Sequence, residues 1–270
     1  MELAGKRALV TGASRGVGRA IAEAFVGAGI DVLGTSRNPE GVEWPKGVIP
    51  VRLDVSSSES VELAWRDEGM LAETHIDIVV NNAGAGVFGG FSGTDFGEWD
   101  RQIGLLLLGA MKISQIALQQ WSIERPGVLV NIGSLAVDYP IPYMSGYNAA
   151  KAGLAAFTES LALETDSRVA RVLELRLGDV NTGFNEHMSG RPVDSRQDKV
   201  WAAMLKHVAA GPSAQRVASK LLSVLATKDA GVVTAGGFFQ TKIALLFAKL
   251  ISLRVKRAAN LRYYNVSRDS

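Results

Sequence analysis

Seven short runs rich in β-branched and aliphatic residues alternate along this chain with longer amphipathic stretches, and that rhythm leaves few folds open. The runs are Arg7–Thr11, Asp31–Ser36, Val48–Val55, Ile76–Asn81, Gly127–Ser134, Arg171–Leu177 and Gly231–Ala235. Several are apolar almost throughout, the pattern of strands covered on both faces. Between them the spacing predicts helices over Gly16–Ala28, Ser58–Glu73, Phe96–Ile123, Gly146–Thr165 and Ser213–Ala226, with Ser58 as a cap and Gly29 as a stop signal. Such alternation predicts a doubly wound α/β fold: a seven-stranded parallel sheet with helices on both faces. Right-handed crossovers then gather the C-terminal ends of the strands on one edge, where sheets of this kind bind ligands. The stretch 38–47, with two prolines and two glycines, reads as a loop or one short turn. No linker or repeat divides the 270 residues, so a single domain over 1–237 is expected, followed by a tail over 238–270.

Charge and composition remove several functions. A net charge of +2 supplies no basic field for nucleic acid. The chain has no cysteine and only three widely separated histidines, His75, His187 and His207, so no metal site is expected. The absence of cysteine also fits a cytoplasmic protein. No apolar run reaches the ~18–20 residues expected of a spanning helix.

The first strand runs into Thr11-Gly12-Ala13-Ser14-Arg15-Gly16-Val17-Gly18 and then a helix. Glycines there allow a tight turn and bring backbone amides close to a pyrophosphate, which the helix N-terminus also attracts. Ser14 and Val17 belong to the same cradle. A site for unphosphorylated dinucleotide would carry a carboxylate at the end of the second strand, for the ribose 2′-hydroxyl. Here that strand ends Thr35-Ser36-Arg37. Arg37, helped by Arg15, can grip a 2′-phosphate with a fork of donors, so NADP(H) is the expected cofactor.

With these residues in hand, the chain resembles the short-chain dehydrogenase/reductase family over roughly residues 5–237, a Rossmann-type family. The glycine turn is similar to the family's TGxxxGxG. Leu53-Asp54-Val55 is similar to the segment whose aspartate meets the adenine amino group, Asn81-Asn82-Ala83-Gly84 to the NNAG after the fourth strand, and Tyr147-Asn148-Ala149-Ala150-Lys151 to YxxxK, with Ser134 after the fifth strand. The resemblance implies that Tyr147 exchanges the proton with the substrate oxygen, that Ser134 holds that oxygen, and that Lys151 holds the nicotinamide ribose. It also implies cofactor contacts from Val55, Asn82, Ala83, Gly84, Gly178, Val180 and Thr182. Tyr147 and Lys151 are four apart, hence on one helix face. A nearby ammonium is expected to lower the pKa of the phenol, which is otherwise near 10.

Two departures stand out. The family's long helix after the fourth strand carries an asparagine that bends it and anchors a relay water. The aligned stretch here is Leu106-Leu107-Leu108-Gly109, and no asparagine occurs between Asn82 and Asn131. After the sixth strand the family's Pro-Gly is Leu177-Gly178. The resemblance implies an NADPH-dependent ketoreductase or alcohol dehydrogenase acting on a small carbonyl or secondary alcohol. Leu106 keeps open the alternative of a non-catalytic NADPH-binding sensor or partner subunit.

The resemblance implies that residues 183–211 form a lid over the substrate, and Phe184, His187, Met188, Trp201 and Met204 within it suggest an apolar one. Asp138, Tyr139, Ile141 and Tyr143 are further candidates for the pocket wall. The resemblance implies that the helices Phe96–Ile123 and Gly146–Thr165 pair across a subunit boundary, so a homodimer or homotetramer is expected. From Thr241 onward seven Lys or Arg residues face one acid, Asp269. That tail reads either as a helix packed on the lid or a second subunit, or as a peripheral membrane contact through 240–262.

Overall fold

The computed structural model describes residues 2–66, 71, 72, 74–227, 231–237, 240, 241 and 251–266. Its sheet has seven parallel strands in the order β3-β2-β1-β4-β5-β6-β7. They are β1 (Arg7–Val10), β2 (Asp31–Ser36), β3 (Val48–Arg52), β4 (Ile78–Asn81), β5 (Gly127–Ser134), β6 (Ala170–Leu177) and β7 (Gly231–Ala235). The sequence order reverses between β1 and β4, so a crevice opens at their C-terminal ends. All seven expected strands form, and the doubly wound architecture is as expected; β3 stops three residues early, at Arg52.

Alternation of side chains gives the sheet two dry faces. Ala8, Val10, Ile78, Val80, Val128 and Val130 pack against helices α1 (Gly16–Gly27) and α7 (Ala214–Ala226) through Ile21, Phe25, Val217 and Leu221. Leu9, Leu33, Val79 and Leu129 meet Val61, Ile113, Ala117 and Leu161 on the other face. Those residues come from α2 (Ser58–Trp65), α4 (Gly109–Gln120) and α5 (Ser145–Glu164). Each fully buried aliphatic side chain contributes about 1.5–3 kcal/mol relative to exposure.

Local signals hold with small corrections. Gly29 ends the first helix at φ +77. The cap of α2 is Ser57, whose hydroxyl accepts from the Ser60 amide, rather than Ser58. Helix α2 is described only to Trp65, and part of the expected Ser58–Glu73 helix lies outside the described residues. The expected Phe96–Ile123 helix is one rod in three pieces: α3 (Phe96–Ile103), a π-helical segment (Gly104–Leu108) and α4. By length and composition this rod is apolar enough to cross a membrane, with a mean hydropathy of 1.2, which corrects the expectation from sequence. Its buried residues Leu106, Ala110, Ile113 and Ala117 belong to the protein core.

Helix α6 (Ser195–Ala209) forms inside the expected lid, outside the helices that the spacing predicts. Asp194 caps it by accepting from the Arg196 and Gln197 amides, and the Gln197 side chain donates back to Asp194. Val200, Ala203 and Met204 form its buried stripe. They join Phe88, Met144, Met188, Tyr264 and Val266 in a third cluster, capping the C-terminal edge of the sheet. The described part of the tail forms α8 (Leu253–Tyr263), while 242–250 lies outside the described residues.

Candidate active site and cofactor cleft

The glycine turn is built by close approach. Gly12 has φ +64, and a Cβ on it would lie 2.8 Å from the Ala83 Cα; one on Gly18 would lie 2.4 Å from the Gly12 carbonyl. The β1 turn and the segment after β4 are therefore in direct contact. The Thr11 hydroxyl accepts from the amides of Asn82 and Ala83 at 2.9 and 3.0 Å. The Asn82 side-chain amide donates to the Thr11 and Gly12 carbonyls. Asn82 thus acts as a brace for the turn, with its amide already spent. Thr182, from the segment after β6, lies against Gly16.

Below this edge runs a buried polar ladder. The Asn81 amide donates to the Ala110 carbonyl, the Ser114 hydroxyl and the Asn131 side-chain carbonyl, and Asn131 donates to the Thr158 hydroxyl at 2.8 Å. It ties β4 and β5 to α4 and α5, fixing the helix that carries Tyr147 and Lys151.

Ser134 ends β5, and its hydroxyl accepts from the Ala136 amide at 3.1 Å. The bidentate exchange between the Asn148 side chain and the Ile141 backbone pins the connecting loop to α5. Tyr143 in that loop has φ +63, sparsely populated for a non-glycine residue. The Lys151 ammonium lies 5.8 Å from the centre of the Tyr147 ring and donates to the Ile132 carbonyl at 2.7 Å. Burial lowers the Lys151 pKa to about 8, against an upward pull from Glu174. Burial also raises the Tyr147 pKa; a hydrogen bond with Ser134 pulls it down and the Asp179 charge pushes it up. The expected lowering of the phenol is therefore not met in the chain by itself, because desolvation of a phenolate outweighs the help available.

A single cavity of about 1270 Å³ holds this site. Its walls include every expected cofactor residue: Gly12, Ser14, Arg15, Gly16, Val17, Gly18, Arg37, Asp54, Val55, Asn82, Ala83, Gly84, Gly178, Val180 and Thr182, together with Ser134, Tyr147 and Lys151. The donor set fits a phosphorylated dinucleotide. Among the described residues no side chain caps the first amides of α1, which remain as donors at Gly16. Burial and repulsion from Arg37 both weaken the hold of Arg15 on its proton. Neither arginine has an ion-pair partner among the described residues, so the pair suits a dianion.

At the other end the wall is mainly apolar: Ile141, Met144, Phe184, Met204, Val208 and Val255 line it. Tyr139 and His187 also line it, as expected. Four other expected wall residues are turned to other tasks. Met188 and Tyr143 pack in the third core cluster, Trp201 packs on Phe88, and Asp138 pairs with Arg176. Asp179 is a wall residue with no sequence signal. Its carboxylate accepts from the Tyr263 hydroxyl at 2.8 Å and from the Gln240 side chain. Through these bonds α8 is fastened across the substrate end of the cavity, where Tyr263 also stacks on His207.

Leu106 stands mid-way along the π-helical segment, buried, with its side chain against Gly84. The Gly109 amide donates to the Gly104 carbonyl, so the rod is distorted here without an asparagine. Lys151 has a backbone acceptor in Ile132. Leu106→Asn is expected to lower thermal stability by the roughly 1–3 kcal/mol of burying an amide, without a large gain in kcat. Thermal unfolding and steady-state kinetics on the purified variant check both parts.

The profile of the family described as short chain dehydrogenase matches residues 6–191. Among curated proteins, 3beta-hydroxysteroid dehydrogenase 1 of Eggerthella lenta is 33% identical over 201 residues, 71% of this chain and 77% of its own. The 3-oxoacyl-(acyl-carrier-protein) reductase FabG of Vibrio harveyi is 34% identical over 244 residues, 87% of this chain and 95% of its own. Among solved structures, a short-chain dehydrogenase from Streptomyces avermitilis superposes with a TM-score of 0.77 at 28% identity, covering 98% of this chain and 97% of its own. An alcohol dehydrogenase from the archaeon Thermococcus sibiricus, complexed with 5-hydroxy-NADP, gives 0.68 at 27% identity over 87% of this chain and 97% of its own.

Proposed function

The chain belongs to the short-chain dehydrogenase family, and we propose that within it this protein is an NADPH-dependent reductase of a small, mainly apolar ketone, or the corresponding alcohol dehydrogenase. One observation carries the reading: Ser134, Tyr147 and Lys151 lie on the wall of the same cavity as the glycine turn and the Arg15–Arg37 pair.

The arginines would take the 2′-phosphate, the amides opening α1 the pyrophosphate, and Asp54 the adenine amino group. The Ser56 amide and hydroxyl already occupy one Asp54 oxygen, which leaves the other for that contact. When bound, the nicotinamide supplies or accepts the hydride. Tyr147 stays protonated in its buried position and so serves as the donor to a developing alkoxide. Ser134, beside it, donates a hydrogen bond to the same oxygen, in a site where such a bond is worth more than in water. Lys151 supplies positive charge that eases departure of the Tyr147 proton and steadies the phenolate left after donation. The apolar wall from Ile141 to Val255 favours a substrate with little polarity away from its oxygen. Two relatives carry hydroxysteroid and 3-oxoacyl in their names, which agrees with a carbonyl and alcohol pair.

The test is oxidation of NADPH against a panel of apolar ketones, diketones and quinones, followed by the absorbance of reduced nicotinamide. Turnover supports the reductase; tight NADPH binding with no turnover across the panel supports the sensor or partner subunit instead.

The protein is also read as a homodimer or homotetramer. Leu108 and Met111 on the long rod and Leu163 on α5 are exposed, at 58, 36 and 84%. Sedimentation is expected to show a dimer or tetramer, and Leu108→Glu combined with Leu163→Glu is expected to yield monomer.

A further inference from the structure

Glu174 is the least explained group near the site. It lies on β6, 1% exposed, in a strand otherwise made of aliphatic side chains and two arginines. In the β5–β6 register it is the partner of Asn131, so the two side chains share a face of the sheet. Asn131 reaches Thr158 on α5, which places Glu174 beneath that helix as well.

Its immediate neighbours are specific. A Cβ on Gly133 would lie 2.2 Å from the Glu174 Oε1, so the carboxylate rests directly on the β5 backbone at Gly133. The carbonyl of the preceding residue, Ile132, accepts from the Lys151 ammonium at 2.7 Å. Carboxylate and ammonium therefore converge on adjacent residues of one strand. Oε1 also accepts from the Arg176 Nε at 2.9 Å, while Oε2 is buried with no hydrogen-bond partner among the described residues. Arg176 is shared, since its Nη1 lies 3.3 Å from the Asp138 Oδ2. The charged groups packed around Glu174 are thus Lys151 from α5, Arg176 from its own strand and, behind Arg176, Asp138 from the turn after β5. Two cations and two anions make a neutral cluster, buried at Glu174 and Lys151 and open to water only at its Arg176–Asp138 end.

We propose that Glu174 is a positioning residue for Lys151: its carboxylate, seated on Gly133, holds the ammonium against the Ile132 carbonyl and keeps it charged beside Tyr147. A buried carboxylate needs cationic partners, and a shared arginine leaves its charge incompletely matched. Burial alone favours neutral Lys151, and the Glu174 charge opposes that. This rests on the reading of Tyr147 and Lys151 as the reactive pair, in a chain where Leu106 fills the place at which the resemblance implies an asparagine.

The experiment is a pH titration of Lys151 by NMR of protein labelled with carbon-13 at the lysine ε-carbons, the signal assigned with Lys151→Arg. Wild type is expected to titrate near pH 8. Glu174→Gln is expected to move the midpoint down by about one unit or more, the usual effect of removing an opposite charge within ~4–6 Å. The upper pH limb of kcat should move with it. Glu174→Asp, which retreats by one methylene, is expected to give a smaller shift in the same direction, and it serves if the glutamine variant does not fold. A folded variant whose midpoint stays within ~0.3 units of wild type overturns the proposal, and Glu174 is then a partner of Arg176 alone. A shifted midpoint in a protein with no turnover on any substrate leaves the positioning role standing and removes the reductase reading.

Discussion

Tyr147→Phe is expected to lower NADPH-dependent turnover by at least about a thousandfold, within the range that a positioned general acid contributes, while the dissociation constant for NADPH stays within about twofold of wild type. The split follows from where the hydroxyl lies. The ring packs on Phe184 and next to the Lys151 ammonium, and phenylalanine preserves both contacts. Only the proton donor and its bond with Ser134 are lost. Single-turnover kinetics and a fluorescence titration of NADPH read the two halves separately. Loss of binding along with turnover would mean that the hydroxyl holds the cofactor cleft together; turnover that survives would assign the proton to another group. In wild type, reduction is expected to decline above about pH 8, because Lys151 then loses its charge.

Arg15→Ala with Arg37→Ala is expected to raise the NADPH dissociation constant by about two to three orders of magnitude, and to leave that for NADH within a few-fold. Each charge-assisted bond to phosphate is worth about 1.5–3 kcal/mol, and every 1.4 kcal/mol is tenfold. Relief of repulsion between the two guanidiniums in the free protein offsets part of the loss. Isothermal titration with both dinucleotides checks this. Equal weakening for both cofactors would place the arginines on the pyrophosphate instead of the 2′-phosphate.

Much of this molecule could be read along the chain because the informative residues sit at strand ends. In a parallel sheet those ends share one edge, so Gly12, Asn82, Ser134 and Gly178 are brought together by topology alone. Short-range rules also placed Gly29 and the turn after Asn38. Helix α6 was readable in principle: Asp194 followed by Gln197, then Val200, Ala203 and Met204 at helical spacing, is a capped amphipathic helix. It was obscured by the polar residues around that stripe. What sequence could not show are contacts between distant segments. Asp179 with Tyr263, and Glu174 on Gly133, depend on sheet register and on where the tail crosses the cavity. The direction of the Tyr147 shift is out of reach of sequence for a similar reason. Spacing puts an ammonium four residues away, but the extent of desolvation depends on the lid and tail that close over the ring.

The π-helical segment gives the long rod one residue more than an α-helix of the same span would use. Each residue of an α-helix turns about 100°, so the surplus residue sets the faces of α3 and α4 out of phase with each other. Trp99 and Gln102 can then meet the catalytic helix at Gly146 while Ile113 and Ala117 meet the sheet. Deleting one residue between Gly104 and Leu108 would restore a regular helix and a single phase. One of those two contacts would then be rotated away from its partner. In this chain the spacing of the rod is therefore as much a part of the site as the side chains it carries, and a length change there would act like a substitution at several positions at once.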